Sequence, residues 1–589
     1  VPQASVRFPI GLSDFRNLRQ GGFAYVDKTG LIEAVLGGGA EVVLAPRPRR
    51  FGKTLNLSML RYFLEKSAED RRPLFAGLYV EGSAIARPHF QRYPVISMTF
   101  KDVKTQSWDE CLAEVAEVLA RTFGEHGHLL TDGSLTVAEA KVFTSILERR
   151  AAKAQLVGAL SLLSMLLARH HRERVVILVD EYDTPIQAGY TNGYYDDVVT
   201  FFRSFLSGGL KDNPQLFKGV LTGILRVAKE SLFSGLNNIA VYGILRPELA
   251  PWFGFTEPEV RGLVASAGPP ELLDGIRAYY NGYVFGGHAI YNPWSVLSFL
   301  ASADKGLRAY WVDTSSNDLV RQLLLTGPQG ARAELETLLA GGTIDKRIDE
   351  NIVLRDVSTR ADAVWSFLLF TGYLKAVETN LVEARLWCKL AIPNVEVAIG
   401  LRDMVQTWLE TLAGGSDELG AMLDALLRGD APVVERLLAR MVSTSLSYFD
   451  TASPEPERFY HGLVVGLLTS LSPRYEVRSN RESGYGRCDV MVLPKAAGQP
   501  GVVLELKRVD AEAGETKERA LAAALRQIRA RDYAAELRAR GAAPVHEMAA
   551  VFEGKKVYVR AAPAPKARPK KASAKGKPKA KRAAPRRTR

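Results

Sequence analysis

Asp489 and, 16 positions on, Glu505 stand at the ends of two apolar stretches, C-D-V-M-V over 488–492 and G-V-V-L-E-L-K over 501–507, with Lys507 closing the second. Two carboxylates and one ammonium are what metal-assisted phosphodiester hydrolysis needs. The carboxylates hold Mg²⁺ through hard oxygen ligands while the lysine orients or deprotonates an attacking water. Strand side chains repeat every two residues, so Glu505 and Lys507 project to one face. An E-L-K tripeptide closing a strand is common and is otherwise a solvated charge pair, so the surrounding residues decide its meaning.

A second constellation lies in the N-terminal half. Residues 41–45 read as a buried strand, the loop R-P-R-R-F-G-K-T follows over 47–54, and a helix is expected over 55–63. A strand, a tight loop and a helix opening on G-K-T form the context of a phosphate-binding loop. Backbone N–H groups and the helix N-terminus would face phosphates, Lys53 would reach the β and γ oxygens, and Thr54 would ligate Mg²⁺. The usual first glycine is replaced by Arg47, which at face value denies the loop a close backbone approach at its start. The partner motif is V-V-I-L-V-D-E over 175–181, 126 residues downstream from Thr54 to Asp180. Five apolar residues running into two acids are how a buried parallel strand ends. Asp180 is placed for Mg²⁺ and Glu181 to polarise the attacking water.

These motifs belong to a longer pattern. P-I-G-L-S-D-F (9–15), Y-V-D-K-T-G (25–30), the phosphate loop, V-D-E-Y-D-T-P-I (179–186), S-L-F-S-G-L-N-N (231–238), Y-N-G-Y (280–283) and Y-N-P-W-S-V (291–296) resemble a bacterial family of AAA-ATPase-like proteins. S-N-R-E-S-G-Y-G-R-C-D (479–489) and the E-L-K strand resemble the C-terminal nuclease domain of that family, part of the PD-(D/E)-x-K superfamily. The resemblance implies that Asp489 and Glu505 bind metal, that Lys507 is catalytic, and that the arginine-led loop is a family feature. Arg50, Gly52, Lys53, Thr54, Asp180 and Thr222 are the candidate nucleotide-binding residues, Thr222 lying where related ATPases carry a γ-phosphate sensor. Arg226 is a candidate nucleotide contact or a surface charge. Glu457 offers the nuclease a further carboxylate, or a favourable charge at a helix N-terminus. A helix expected over 516–538 carries Gln527 and Tyr533, whose six-residue separation puts them on different faces.

The 589 residues suffice for three or four domains. The fold class expected is α/β: a P-loop domain with a parallel sheet over 1–245, a helical lid over 246–310, a helical or winged linker over 311–450, a restriction-endonuclease-like nuclease core over 451–560, and a disordered tail over 561–589. In the linker, apolar spacing predicts helices over 331–340, 395–412, 417–427 and 432–444, a buried segment over 364–375 and a strand over 386–392.

The tail holds 12 of the 77 Lys and Arg and no acid, leaving 65 basic residues against 65 acidic elsewhere. The net charge of +12 therefore resides in a Lys/Arg/Ala/Pro segment that cannot fold by itself and can neutralise phosphates or merely solubilise. No run of 18 apolar residues predicts a membrane span, and residues 1–8 lack a signal-peptide core. Cys111, Cys388 and Cys488 are far apart and suit a reducing cytoplasm; Cys488 is expected in a core. The cofactors expected are ATP and Mg²⁺, and the partner nucleic acid, DNA ahead of RNA, with a homo-oligomer left open. The functional expectation is an ATP-binding and ATP-hydrolysing protein coupled to a Mg²⁺-dependent nuclease. The alternative is a nucleotide-dependent nucleic-acid-binding or scaffold protein with an inactive nuclease fold.

Overall fold

The computed structural model describes residues 6–225, 238–311, 331–351, 354–357, 360–413, 415–445, 474–483, 486–510 and 514–563, with a few single positions between 464 and 471. Arg226, Glu457 and nearly all of the basic tail lie outside the described residues, as does the side chain of Cys488. The chain divides into two compact units, Val1–Trp408 and Leu409–Arg589.

The first unit is built on strands β1 (Val42–Pro46), β2 (Val95–Thr99), β3 (Val175–Asp180), β4 (Leu216–Gly223) and β5 (Ile239–Val241). They pair in the order β2-β3-β4-β1-β5, every pair parallel. Alternation explains why β1 and β3 are apolar throughout. Val42 and Leu44 enter one core with Val175, Ile177 and Val179, whereas Val43 and Ala45 enter another with Val176 and Leu178. Both sheet faces are thus covered, and polar groups are confined to the strand ends.

The lid carries the helices Glu257–Ala267, Leu272–Tyr280 and Pro293–Leu300, which share a separate core with Phe8, Ala24 and Val26. It also holds a short hairpin of β6 (Tyr283–Phe285) and β7 (His288–Ile290). Lys28 ties the N-terminal segment to the lid, its Nζ donating to Glu259 at 2.7 Å and to the Pro251 carbonyl at 2.8 Å. Beyond it, β8 (Ile344–Ile348), β9 (Lys375–Val382) and β10 (Arg385–Ala391) form an antiparallel sheet in the order β8-β10-β9. The helix Ala361–Thr371 supplies the buried segment expected there, and Trp365, Phe367 and Leu368 join the core of the parallel sheet. Glu396, fully buried, accepts from Ser295 Oγ at 2.8 Å and from the Trp311 backbone N–H at 2.6 Å. One carboxylate therefore links the helix Val395–Ala413 to the lid.

The second unit centres on β11 (Tyr475–Ser483), β12 (Gly486–Pro494), β13 (Gly501–Arg508), β14 (Val545–Glu553) and β15 (Lys556–Ala561), paired in that order. Only β13 and β14 run parallel; the other described pairs are antiparallel. The helices Ser416–Arg428 and Ala431–Ser445, expected in the linker, belong to this unit, and Glu435 accepts the Val559 N–H of β15 at 2.7 Å. Their apolar faces predict helices but not which sheet they cover. The single helix expected over 516–538 is two, Lys517–Ala530 and Ala534–Ala539, because Asp532 takes a left-handed φ of 45° and ends the first. Among the described residues no helix is long and apolar enough to cross a membrane.

Glu396→Ala should lower the stability of the first unit by about 2–3 kcal/mol, since the buried Ser295 and Trp311 donors would lose their acceptor. Urea unfolding followed by tryptophan fluorescence measures this.

Candidate functional site

β1 delivers the chain to the loop 47–52, and the helix Lys53–Leu64 leaves it. Gly52 caps that helix at φ 81°, a left-handed conformation that glycine adopts without strain. Lys53 is buried and its Nζ donates to the carbonyls of Arg47 and Pro48, both at 3.1 Å. Burial lowers its pKa, against the pull of Glu181 and Asp180. Thr54 Oγ1 donates to one oxygen of Asp180 at 2.7 Å and Thr222 Oγ1 to the other at 2.6 Å. Burial nevertheless raises the Asp180 pKa, the two hydroxyls offsetting part of the cost. Glu181 follows with φ 49° and lines a cavity of about 450 Å³ with Arg49, Arg50, Lys53 and Thr54. Lys101 and Lys104 reach the same cavity, and the Arg50 guanidinium lies 4.1 Å from the Trp294 ring centroid. The cavity thus has a helix N-terminus, a buried lysine and the cations Arg49, Arg50, Lys101 and Lys104 in its lining beside Glu181, the one acid among its described lining residues.

Arg47 stands where the usual loop has its first glycine. Its φ is not positive, so the backbone there does not need glycine. Its guanidinium is fully buried, donating to the Pro46 carbonyl at 2.8 Å and stacking 4.8 Å from the Phe253 ring. Burial lowers its pKa to about 9. The side chain therefore braces the loop from beneath.

Sequence reading missed Asp183 and Tyr182. Asp183 is buried and accepts from the backbone N–H groups of Ile224 and Leu225 at 3.0 and 2.9 Å, while Tyr182 donates to the Leu225 carbonyl at 2.6 Å. Together they hold the end of β4 and with it Thr222. The only signal was the second aspartate of V-D-E-Y-D, two residues past the charged pair.

In the second unit, Val490 pairs with Leu504, so Asp489 and Glu505 are the next neighbours across β12 and β13. Asp489 accepts the Leu506 N–H at 2.9 Å. Glu505 is only 2 % exposed; one carboxylate oxygen receives the Gln527 amide, and the other is buried with no hydrogen-bond partner among the described residues. Burial and then the Asp489 charge push the Glu505 pKa up to about 8, against Lys507, the Asp489 backbone N–H and Arg531. Gln527 and Ile528 are consecutive, and while Gln527 meets Glu505, Ile528 enters the core with Met491, Leu493 and Val503. Tyr533 is fully buried in that core, beside the break between the two helices. The structure thus brings Asp489, Glu505, Lys507 and Gln527 together and places Tyr533 under the sheet.

Two family models match the chain. Residues 9–233 match that of the predicted AAA-ATPases, and residues 455–561 that of the PD-(D/E)XK nuclease superfamily. The chain joins an AAA-ATPase-like segment to a PD-(D/E)XK nuclease segment. An uncharacterized protein in the vnfD 5′ region of Azotobacter chroococcum mcd 1 is 28% identical over 556 residues, spanning 93% of this chain and 96% of its own length. Among solved structures, a Walker-type ATPase of Pyrococcus abyssi is 12% identical at a TM-score of 0.34, covering 64% of this chain and 94% of its own.

Within the ATPase-like segment, Arg47→Gly should cost about 3 kcal/mol by emptying a packed site, read as a lower thermal midpoint. In the nuclease segment, Glu505 has a folded pKa above its ordinary 4.5. The stability it contributes is present below that ordinary value and is lost as pH rises through about 8. Metal-free Glu505→Gln should therefore be more stable than wild type by on the order of 2 kcal/mol at about pH 9, the difference closing toward about pH 5. Denaturant titrations across that range measure it.

Proposed function

We propose that this protein binds and hydrolyses ATP in its first unit and cleaves nucleic acid in its second with the help of Mg²⁺, in a cytoplasmic setting. The observation that carries the nuclease reading is the unpartnered, buried oxygen of Glu505, next to Asp489 and on the strand that carries Lys507. Two carboxylates packed together in a poorly solvated place need a dication to both stay ionised. Asp489 and Glu505 would hold Mg²⁺, which when bound offsets charge developing on a phosphodiester. Gln527 fixes the Glu505 carboxylate, and Lys507 orients or deprotonates the attacking water.

In the first unit Thr54 and Asp180 would hold a second Mg²⁺, their 2.7 Å hydrogen bond already placing both oxygens together. Lys53 exchanges two loop carbonyls for phosphate oxygens, and Glu181 is placed at the cavity wall to orient water. Thr222, bonded to Asp180, reports on the γ position, and Arg50 adds positive charge at the cavity. DNA is the substrate favoured ahead of RNA. The basic tail adds sequence-independent phosphate contacts.

The alternative of a scaffold with a dead nuclease fold is disfavoured by the retention of both acids and the lysine. Cleavage of labelled single- and double-stranded DNA and RNA in Mg²⁺, with and without ATP, tests the proposal. Lys507→Ala should lower cleavage by at least about 100-fold, and Lys53→Ala should weaken ATP binding by about tenfold or more through a lost charge-assisted contact. Absence of cutting on every substrate, with salt-sensitive binding intact, would favour the scaffold.

A further inference from the structure

Four of the chain's eight histidines gather at one corner of the first unit, none of them used by either proposed activity. His126 ends the helix Trp108–Glu125, His128 lies in the 3₁₀ turn Gly127–Leu130, and His170 and His171 close the helix Lys153–His171. Ring centroids of His128 and His170 are 5.1 Å apart, those of His128 and His171 5.8 Å, and those of His170 and His171 4.5 Å. One nitrogen from each of these three rings lies within 4.8 Å of the other two. The Asp132 carboxylate contacts His170 Nδ1 and is itself oriented by the Ser134 N–H at 2.8 Å.

Three imidazoles converging from two segments, one oriented by a carboxylate, form the donor set that zinc and neighbouring transition metals select and that Mg²⁺ does not. Zinc–nitrogen bonds of about 2.0–2.1 Å set ligand nitrogens roughly 3.3 Å apart in a tetrahedron, so small ring rotations close the present spread. His128 is exposed while His170 and His171 are half-buried, which leaves a fourth position open to water.

We propose that His128, His170 and His171, with Asp132 orienting His170, form a binding site for zinc or a similar borderline divalent cation. The cation pins the turn Gly127–Leu130 to the end of the helix Lys153–His171. That helix leads directly into β3, which ends at Asp180, so the site stands at the opposite end of the strand from the nucleotide cavity. It is a structural clasp on the element that carries Asp180, built from residues other than those proposed to hold Mg²⁺.

The test uses the full-length chain carrying Asp489→Asn and Glu505→Gln, which silence the acidic pair. The protein is stripped with a chelator and titrated with Zn²⁺ against a chromophoric competitor in excess Mg²⁺. One zinc per chain is expected, with a zinc-dependent rise in thermal midpoint. His128→Ala and His171→Ala should each weaken binding at least about tenfold and abolish that rise. Cobalt(II) in place of zinc should give a visible ligand-field spectrum that the histidine variants lose. Since His128 is exposed, His128→Ala is expected to retain the parent's near-ultraviolet circular dichroism, which separates loss of ligand from loss of fold. No zinc binding by the parent, or equal binding by parent and both variants, would overturn the proposal.

Discussion

Asp180 sits at the tip of a strand sealed on both faces, and its carboxylate is held by hydroxyls from its two neighbours, Thr54 on the helix after the loop and Thr222 at the end of β4. A parallel strand covered on both sides offers a charged group only at its end. There the desolvation cost must be met by donors already in place. This constraint sets the positions of the loop helix, β3 and β4 relative to one another. Asp183 and Tyr182 extend it by clamping the backbone just beyond Thr222. Arg47 meets that cost only in part: its guanidinium donates to the Pro46 and Tyr242 carbonyls and lies against Phe253 and Phe285, while Nε and the second terminal nitrogen have no hydrogen-bond partner among the described residues.

The acidic pair of the second unit meets the same cost differently. Glu505 is as buried as Asp180; the Gln527 amide and the Asp489 backbone N–H act on it, and its Oε2 has no partner by hydrogen-bond geometry among the described residues. Burial, and then the like charge of Asp489, push the Glu505 pKa up to about 8. One acid has part of its burial cost offset by two hydroxyls, and the other has less help and a like charge beside it. The contrast is one of degree: burial raises the pKa of both acids, and Asp180 has two hydroxyl donors where the Glu505 side chain has the Gln527 amide.

Much of this was legible in the chain. The all-apolar runs of β1 and β3, each ending at a break in apolar character, predicted doubly covered parallel strands, and period-two spacing put Glu505 and Lys507 on one face. Apolar spacing likewise predicted the helices found at Ser416–Arg428 and Ala431–Ser445. What it could not assign was their packing partner, because an amphipathic face specifies that it must be covered and not by what. The extent of the helix carrying Gln527 was misread for a related reason. Local propensity favours continuity, whereas Asp532 breaks the helix in a left-handed conformation as Tyr533 enters the core.

Residue type and spacing alone determined the two chemical constellations, the phosphate loop with its acidic strand end and the acid pair with its lysine, because short-range periodicity governs which side chains share a face. Only the tertiary structure decided what Arg47 does, that Asp183 holds β4, that Gln527 reaches Glu505, and that histidines 42 residues apart meet at one corner. Those are contacts between segments distant in the chain. Their geometry follows from which apolar faces pack together, and a local pattern carries no record of that choice.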